Sequence, residues 1–199
     1  MYIDLTREIV NNLPVFPGDK AVSIKKTHSL SKDGYRNFRI DTEMHIGTHI
    51  DSPMHITDST TYLSEYSINT FFGNGITVDI NSNPEIYKSK INKETFVLFD
   101  TGMDSKFGKD EYFENYPILC EDWVNLIIAK KVKGVGFDSP SPDKYPFEIH
   151  KKLLKNGIFI IENLTNIRQI EKNKIFELIV LHLKTRTDGA PVRAVAKIE

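Results

Sequence analysis

The sequence predicts an α/β fold built on a mixed sheet. Three observations predict it: a hairpin-like pair of strands near the start, a series of strand-length apolar runs, and two helical segments set between those runs. Ala21 to Leu30 and Arg36 to Met44 flank the turn Lys32-Asp33-Gly34, the pattern of a hairpin. In the second segment Phe38, Ile40, Thr42 and Met44 alternate with Asn37, Arg39, Asp41 and Glu43, the two-residue period expected of a half-buried strand. Apolar runs follow at Ile76 to Ile80, Thr95 to Phe99, Gly134 to Phe137, Ile158 to Ile161 and Phe176 to Leu183. Runs without polar alternation are typical of strands covered on both faces. The first helical segment, Glu121 to Lys131, sets Trp123, Leu126 and Ile127 along one stripe beside the stem of Lys130. The second, Pro146 to Lys155, starts at a proline and stops before Gly157. Its Phe147, His150, Leu153 and Leu154 share a face, so His150 is expected to look inward toward the sheet.

At 199 residues the chain is long enough for one hydrophobic core and short for two, so residues 1–199 are read as one domain. Lys and Arg number 26 against 27 Asp and Glu, a formal net charge of −1 that gives no basic footprint for nucleic acid. Lys130-Lys131-Val-Lys133 reads as solvated surface. The start, Met1-Tyr-Ile-Asp-Leu-Thr-Arg, lacks a signal-like apolar run, and no stretch approaches the ~20 apolar residues of a membrane span. A cytoplasmic location is the expectation. The single cysteine, Cys120, cannot close an intrachain disulfide and is expected as a buried apolar residue opening a helix.

The chemistry is concentrated in His45-Ile-Gly-Thr-His49-Ile-Asp51-Ser-Pro-Met-His55. Imidazole nitrogens and carboxylate oxygens suit zinc, manganese or iron. An extended strand would hold the Cα atoms of His45 and His49 about 13 Å apart at ~3.3 Å per residue. Sharing an ion therefore requires the backbone to curl between them, which Gly47 permits. Asp51 can then return to the same ion. Pro53 fixes the following chain and sets His55 close to the metal, where a free imidazole can move a proton. One such histidine alone reads as an ordinary surface or core residue; the ordered set with Asp, Gly and Pro is specific. Elsewhere, Glu162 ends an apolar run, where a carboxylate is costly without a partner, and His150 lies twelve residues earlier on an inward face. A solvated strand end is the alternative for Glu162, and plain helix packing the alternative for His150.

These residues resemble the cyclase family of metal-dependent hydrolases, to which bacterial kynurenine formamidase belongs. The signature His-x-Gly-Thr-His-x-Asp-x-Pro-x-His is met without a gap from His45 to His55. Further matches are Asp4-Leu-Thr, Val15-Phe-Pro-Gly-Asp19, Thr101-Gly102, Gly136-Phe-Asp138-Ser139, Glu162-Asn-Leu164 and Asp188-Gly-Ala-Pro-Val-Arg193. The resemblance implies a central sheet closing toward a barrel and a pair of divalent ions, Zn2+ first and Mn2+ as the alternative. It implies that His45, His49 and Asp51 hold the first ion. Asp51, His150 and Glu162 would hold the second, with Glu162 reaching both. His55 would be the proton donor and acceptor. Phe16 stands where kynurenine formamidases usually carry a Trp against the substrate, which leaves an aromatic wall without the indole N–H.

The function expected is therefore hydrolysis of a small amide by metal-activated water, first of all N-formylkynurenine to kynurenine and formate. Another hydrolase of the same family, acting on an isatin-like cyclic amide, a lactone or an ester, is the first alternative. A non-catalytic metal- or ligand-binding protein is the second. A homodimer or larger homo-oligomer with a small-molecule substrate is expected, without nucleic acid or membrane as partner.

Overall fold

Each apolar run of the sequence becomes a strand. The computed structural model describes residues 1–198. Its strands are β1 (Tyr2–Asp4), β2 (Ser23–His28), β3 (Asn37–Asp41), β4 (His49–Asp51), β5 (Phe72–Asp79), β6 (Thr95–Asp100), β7 (Gly134–Phe137), β8 (Phe159–Glu162), β9 (Ile175–His182) and β10 (Gly189–Lys197). The helices are α1 (Leu30–Asp33), α2 (Glu111–Glu114), α3 (Glu121–Lys130) and α4 (Glu148–Lys155). Strands β5 to β8 are mutually parallel, and parallel neighbours need crossovers; α3 joins β6 to β7 and α4 joins β7 to β8. Every other pairing is antiparallel.

The sheet runs β10-β4-β8-β7-β6-β5-β9, and β10 also pairs with β9, which closes the ring. Closure leaves no open edge around the ring. β1 is added outside it, along β10.

Alternation along single strands separates two cores. Phe96 and Leu98 of β6 join Ile50, Phe159, Ile161, Leu178, Val180 and Ala194 in a cluster drawn from around the ring with no α3 or α4 residue, so it fills the lumen. Val97 and Phe99 of the same strand pack outward with Val135, Phe137, Trp123, Ile127, Leu153 and Leu154. Both faces of β6 to β8 are thus covered, which is why those runs carry no polar alternation.

Four local expectations need correction. β3 pairs only with β2 and is exposed along its whole length, with no core behind Phe38 and Ile40. β9 buries Phe176, Leu178 and Val180 but not Ile175, Glu177 or Leu181, because neither α3 nor α4 covers its outer face. α4 begins at Glu148 rather than Pro146, after a cis Tyr145–Pro146 bond and a Phe147 at φ +62°. Cys120 precedes α3 as expected but is exposed. The stripe of α3 does bury Trp123, Leu126 and Ile127. Among the described residues no helix is long and apolar enough to cross a membrane.

Candidate metal centre

The functional side chains meet on the outer face of the ring, where β4 and β8 lie beside α4. Ile50 points into the lumen, so the two-residue period of β4 turns His49 and Asp51 outward together. In the antiparallel register His49 stands opposite Glu162, the last residue of β8. α4 brings His150 to the same place from its buried face. Gly47 sits at φ +53°, the curl that lets His45 fold back toward His49; their ring centroids are 5.2 Å apart. His55 arrives on the short 3-10 turn Pro53–His55 that follows β4.

The distances divide the cluster into two parts. His49 Nε2 lies 3.5 Å from Asp51 Oδ1 and 3.3 Å from Glu162 Oε2, and His150 Nε2 lies 3.1 Å from Glu162 Oε1 and 3.8 Å from Asp51 Oδ2. Two ligand atoms at ~2.1 Å around a tetrahedral ion are about 3.4 Å apart, so this part has ion-sharing spacing. On the other side His45 Nδ1 and Asp51 Oδ1 are 2.7 Å apart, a hydrogen-bond length. Donor atoms of His49, Asp51 and Glu162, and separately of His45, Asp51 and His55, lie within 4.8 Å of one another. This set of imidazoles and carboxylates fits a divalent cation.

Hydrogen bonds from behind fix the tautomers. The carbonyl of Gly47 accepts from His49 Nδ1 at 2.9 Å, which leaves Nε2 of His49 facing the carboxylates. Asp143 accepts from Nδ1 of His150 and from the backbone N–H of Ile149 at 2.6 Å, so it orients the ring and ties down the first turn of α4. Asp188, just before β10, accepts at one oxygen from both His45 Nε2 and His55 Nδ1, each at 2.9 Å. The rings of His45 and His55 lie against each other, their centroids 4.0 Å apart. Sequence reasoning quoted Asp188 within a motif but gave it no role, and it missed Asp143 altogether. The signal for Asp143 was an acid seven residues before a histidine already singled out.

Electrostatics follow from this crowding. Burial opposes the charged form of His45, but Asp51 and Asp188 outweigh it and raise its pKa to about 10. His150 is likewise opposed by burial and lifted to about 10 by Asp143, Glu162 and Asp51. Asp51 is held below the usual carboxylate range by His45 and His49 against its own burial, and hydrogen bonds from His45 and His55 likewise hold Asp188 below it.

The cluster opens into a cavity of about 600 Å³. Phe16, Phe113, Phe147 and Ile56 form apolar walls, and among the described residues no Lys or Arg lines it. Phe16 lines the cavity and meets Phe113 edge to face, their ring centroids 6.1 Å apart. All seven residues expected from the sequence, Phe16, His45, His49, Asp51, His55, His150 and Glu162, therefore border one space.

The Cyclase family model matches residues 3–144. Kynurenine formamidase of Bacillus cereus is 30% identical over 98% of this chain and 97% of that protein; the Bacillus mycoides enzyme is 29% identical over the same shares. Among solved structures, an isatin hydrolase bound to the product analogue thioisatinate superposes with a TM-score of 0.87 at 20% identity, over 99% of this chain and 92% of that one. A predicted metal-dependent hydrolase from Bacillus stearothermophilus superposes at 0.80 with 24% identity, over 98% and 97%. On the family match, carried through 98% of the chain by the formamidase relatives, this chain belongs to the cyclase family of hydrolases.

Proposed function

We propose that the protein hydrolyses a small aromatic formamide, N-formylkynurenine first among candidates, to the free amine and formate with a divalent cation at the cluster. The observation that carries this reading is the convergence of four histidines, Asp51, Glu162 and Asp188 on one aromatic-walled cavity. Its volume lies in the ~300–1,000 Å³ range of small-molecule sites.

His45, His49 and Asp51 would hold one ion, and Asp51, His150 and Glu162 a second. Zn2+ suits the donor set best and Mn2+ is the alternative. When bound, such a cation lowers the pKa of water toward ~7 and polarises an acyl oxygen. The chain's own residues supply the rest. Asp188 can only accept, so it fixes the proton of neutral His55 on Nδ1 and leaves Nε2 free as a base. His55 takes a proton from the attacking water and returns it to the departing nitrogen as the C–N bond breaks. Phe16, Phe113 and Phe147 offer faces to an aryl ring and exclude water around it. A homodimer also belongs to this proposal. The exposed apolar residues of β3, Phe38 and Ile40, support it, and mass measurement in solution tests it.

The test is a hydrolysis panel on metal-reconstituted protein containing N-formylkynurenine, isatin, an aryl ester and a lactone. Formate release with the highest kcat/KM on N-formylkynurenine is expected. Preference for isatin or a lactone would move the substrate class within the family, and no turnover of any member would overturn the hydrolytic reading.

A further inference from the structure

Directly after Glu162 stands a residue that the proposed ligand and proton-transfer sets do not use. Asn163 is 8% exposed, adopts φ +56°, and borders the cavity. Asn takes this left-handed conformation more readily than most other non-glycine residues, and it persists where the surroundings fix it. They do so here. The backbone N–H of Asn163 donates to the Ser139 carbonyl at 3.0 Å, and its carbonyl accepts from Thr48 Oγ1 at 2.8 Å.

The side-chain amide is held at one end only. Tyr112 of α2, fully buried, donates its hydroxyl to Asn163 Oδ1 at 2.7 Å. The other acceptor within reach of that hydroxyl, the Asp138 carbonyl, is farther away at 3.2 Å. The Arg7 guanidinium stands beside the phenol, its carbon 5.9 Å from the ring centroid. Burial holds the phenol well above its ordinary pKa, so it remains a donor. These contacts assign the oxygen of the Asn163 amide to Tyr112. The Nδ2 group has no protein partner among the described residues. That group is not sealed from solvent: it is open at the cavity wall, where an acceptor on a bound molecule can take the place of water.

Resting on the hydrolytic reading above, we propose that Asn163 is a substrate-contacting residue whose Nδ2 donates to the acyl oxygen of the scissile amide as negative charge gathers there. Asn163 follows Glu162 directly in the chain and borders the same cavity. Tyr112 is the positioning residue behind it: it fixes which end of the amide is presented, so no reorientation is needed when charge develops.

The test uses Asn163→Gly, which keeps the positive φ and removes the amide. It also uses Asn163→Asp, which keeps the acceptor for Tyr112 and removes the donor. Each is metal-reconstituted, and kcat and KM are measured separately on the best substrate of the panel beside metal content. Loss of one such donor typically lowers kcat by ~10²–10³-fold, so that fall is expected, with KM within about threefold and metal retained. Tyr112→Phe should lower kcat by about tenfold without moving KM, because the amide is free to turn over. Wild-type kcat in Asn163→Gly, a change confined to KM, or loss of metal together with rate would overturn the assignment. Failure of the hydrolytic reading is seen separately, as wild-type protein that turns over no substrate.

Discussion

A methyl group added at Gly189 should disable the site without replacing any proposed ligand. Gly189 opens β10 opposite Asp51 in the register. A Cβ there would lie 2.5 Å from Cε1 and 3.0 Å from Nε2 of His45, and 2.7 Å from the carbonyl oxygen of Ile50. Carbon atoms rest at ~3.5–4.0 Å, so one of the groups has to give by about 1 Å. The Ile50 oxygen belongs to the backbone of β4, between two residues of the cluster, so it yields least and the imidazole takes the larger displacement, while the strand itself is strained. His45 is bound at 2.7 Å to Asp51 and 2.9 Å to Asp188, and a shift of that size breaks both contacts. Overpacking of this kind costs about 1–3 kcal/mol, and ~1 Å of misplacement can cost ~10²-fold in rate. Gly189→Ala should therefore unfold roughly 2–12 °C lower, since ~1 kcal/mol shifts Tm by ~2–4 °C at this chain length. It should also bind less metal and lose about 10²-fold in rate on the best substrate. Scanning calorimetry, elemental analysis and initial rates on one preparation decide the matter. Gly189→Ala with wild-type metal content and rate would refute the claim that His45 is held in place by this close approach.

Further outcomes are expected at neighbouring residues. His55→Ala should retain most of its metal and lose ~10²–10⁴-fold in rate, whereas His49→Ala should lose metal and activity together. Equal metal loss in both variants would make His55 a ligand. Asp143→Asn weakens the acceptor that orients His150, so metal affinity in chelator competition should fall ~10–100-fold; an unchanged affinity would show that the ring needs no such support. Phe16→Trp should shift kcat/KM among aryl substrates more than for small aliphatic amides, and a uniform change across the panel would place Phe16 outside substrate contact.

What the sequence revealed depended on the range of the interaction. The turn from His45 to Asp51 is local: Gly47 is the one residue between the two histidines that takes φ +53° without steric cost, so the motif carried its own geometry. His150 and Glu162 were legible because helical periodicity and an acid at the end of an apolar run both mark inward positions. Asp188 was not legible in role. It meets His55 across 133 residues of chain, and only the pairing of β10 with β4 brings it there. Ring closure was legible only through the family resemblance, since β10 pairs at once with β4 and β9 and no local pattern encodes a second partner. The exposure of β3 shows the opposite failure. Its alternation is that of a half-buried strand, but alternation records a capacity to pack and not the presence of something to pack against.

The four histidines are unequal in exposure, which supports the division of work proposed for them. Their side chains are 3% exposed at His49, 6% at His150, 21% at His45 and 32% at His55. A ligand gains from burial, because a low local dielectric strengthens its bond to a cation and excludes competing water. A proton carrier needs the reverse, since it must exchange its proton with substrate and solvent in each turnover. His49 and His150 answer the first requirement, each with Nδ1 committed to a fixed acceptor and Nε2 turned to the carboxylates. His55 answers the second. Donor atoms of His45, Asp51 and His55 do come within 4.8 Å of one another, so proximity alone would admit His55 as a ligand. Its greater exposure is what favours the proton-carrier role in the proposal, and its Nδ1 is engaged by Asp188, which also binds His45. One carboxylate thus ties the proposed proton carrier to the edge of the ligand cluster and holds it there, next to the metal position with one nitrogen free.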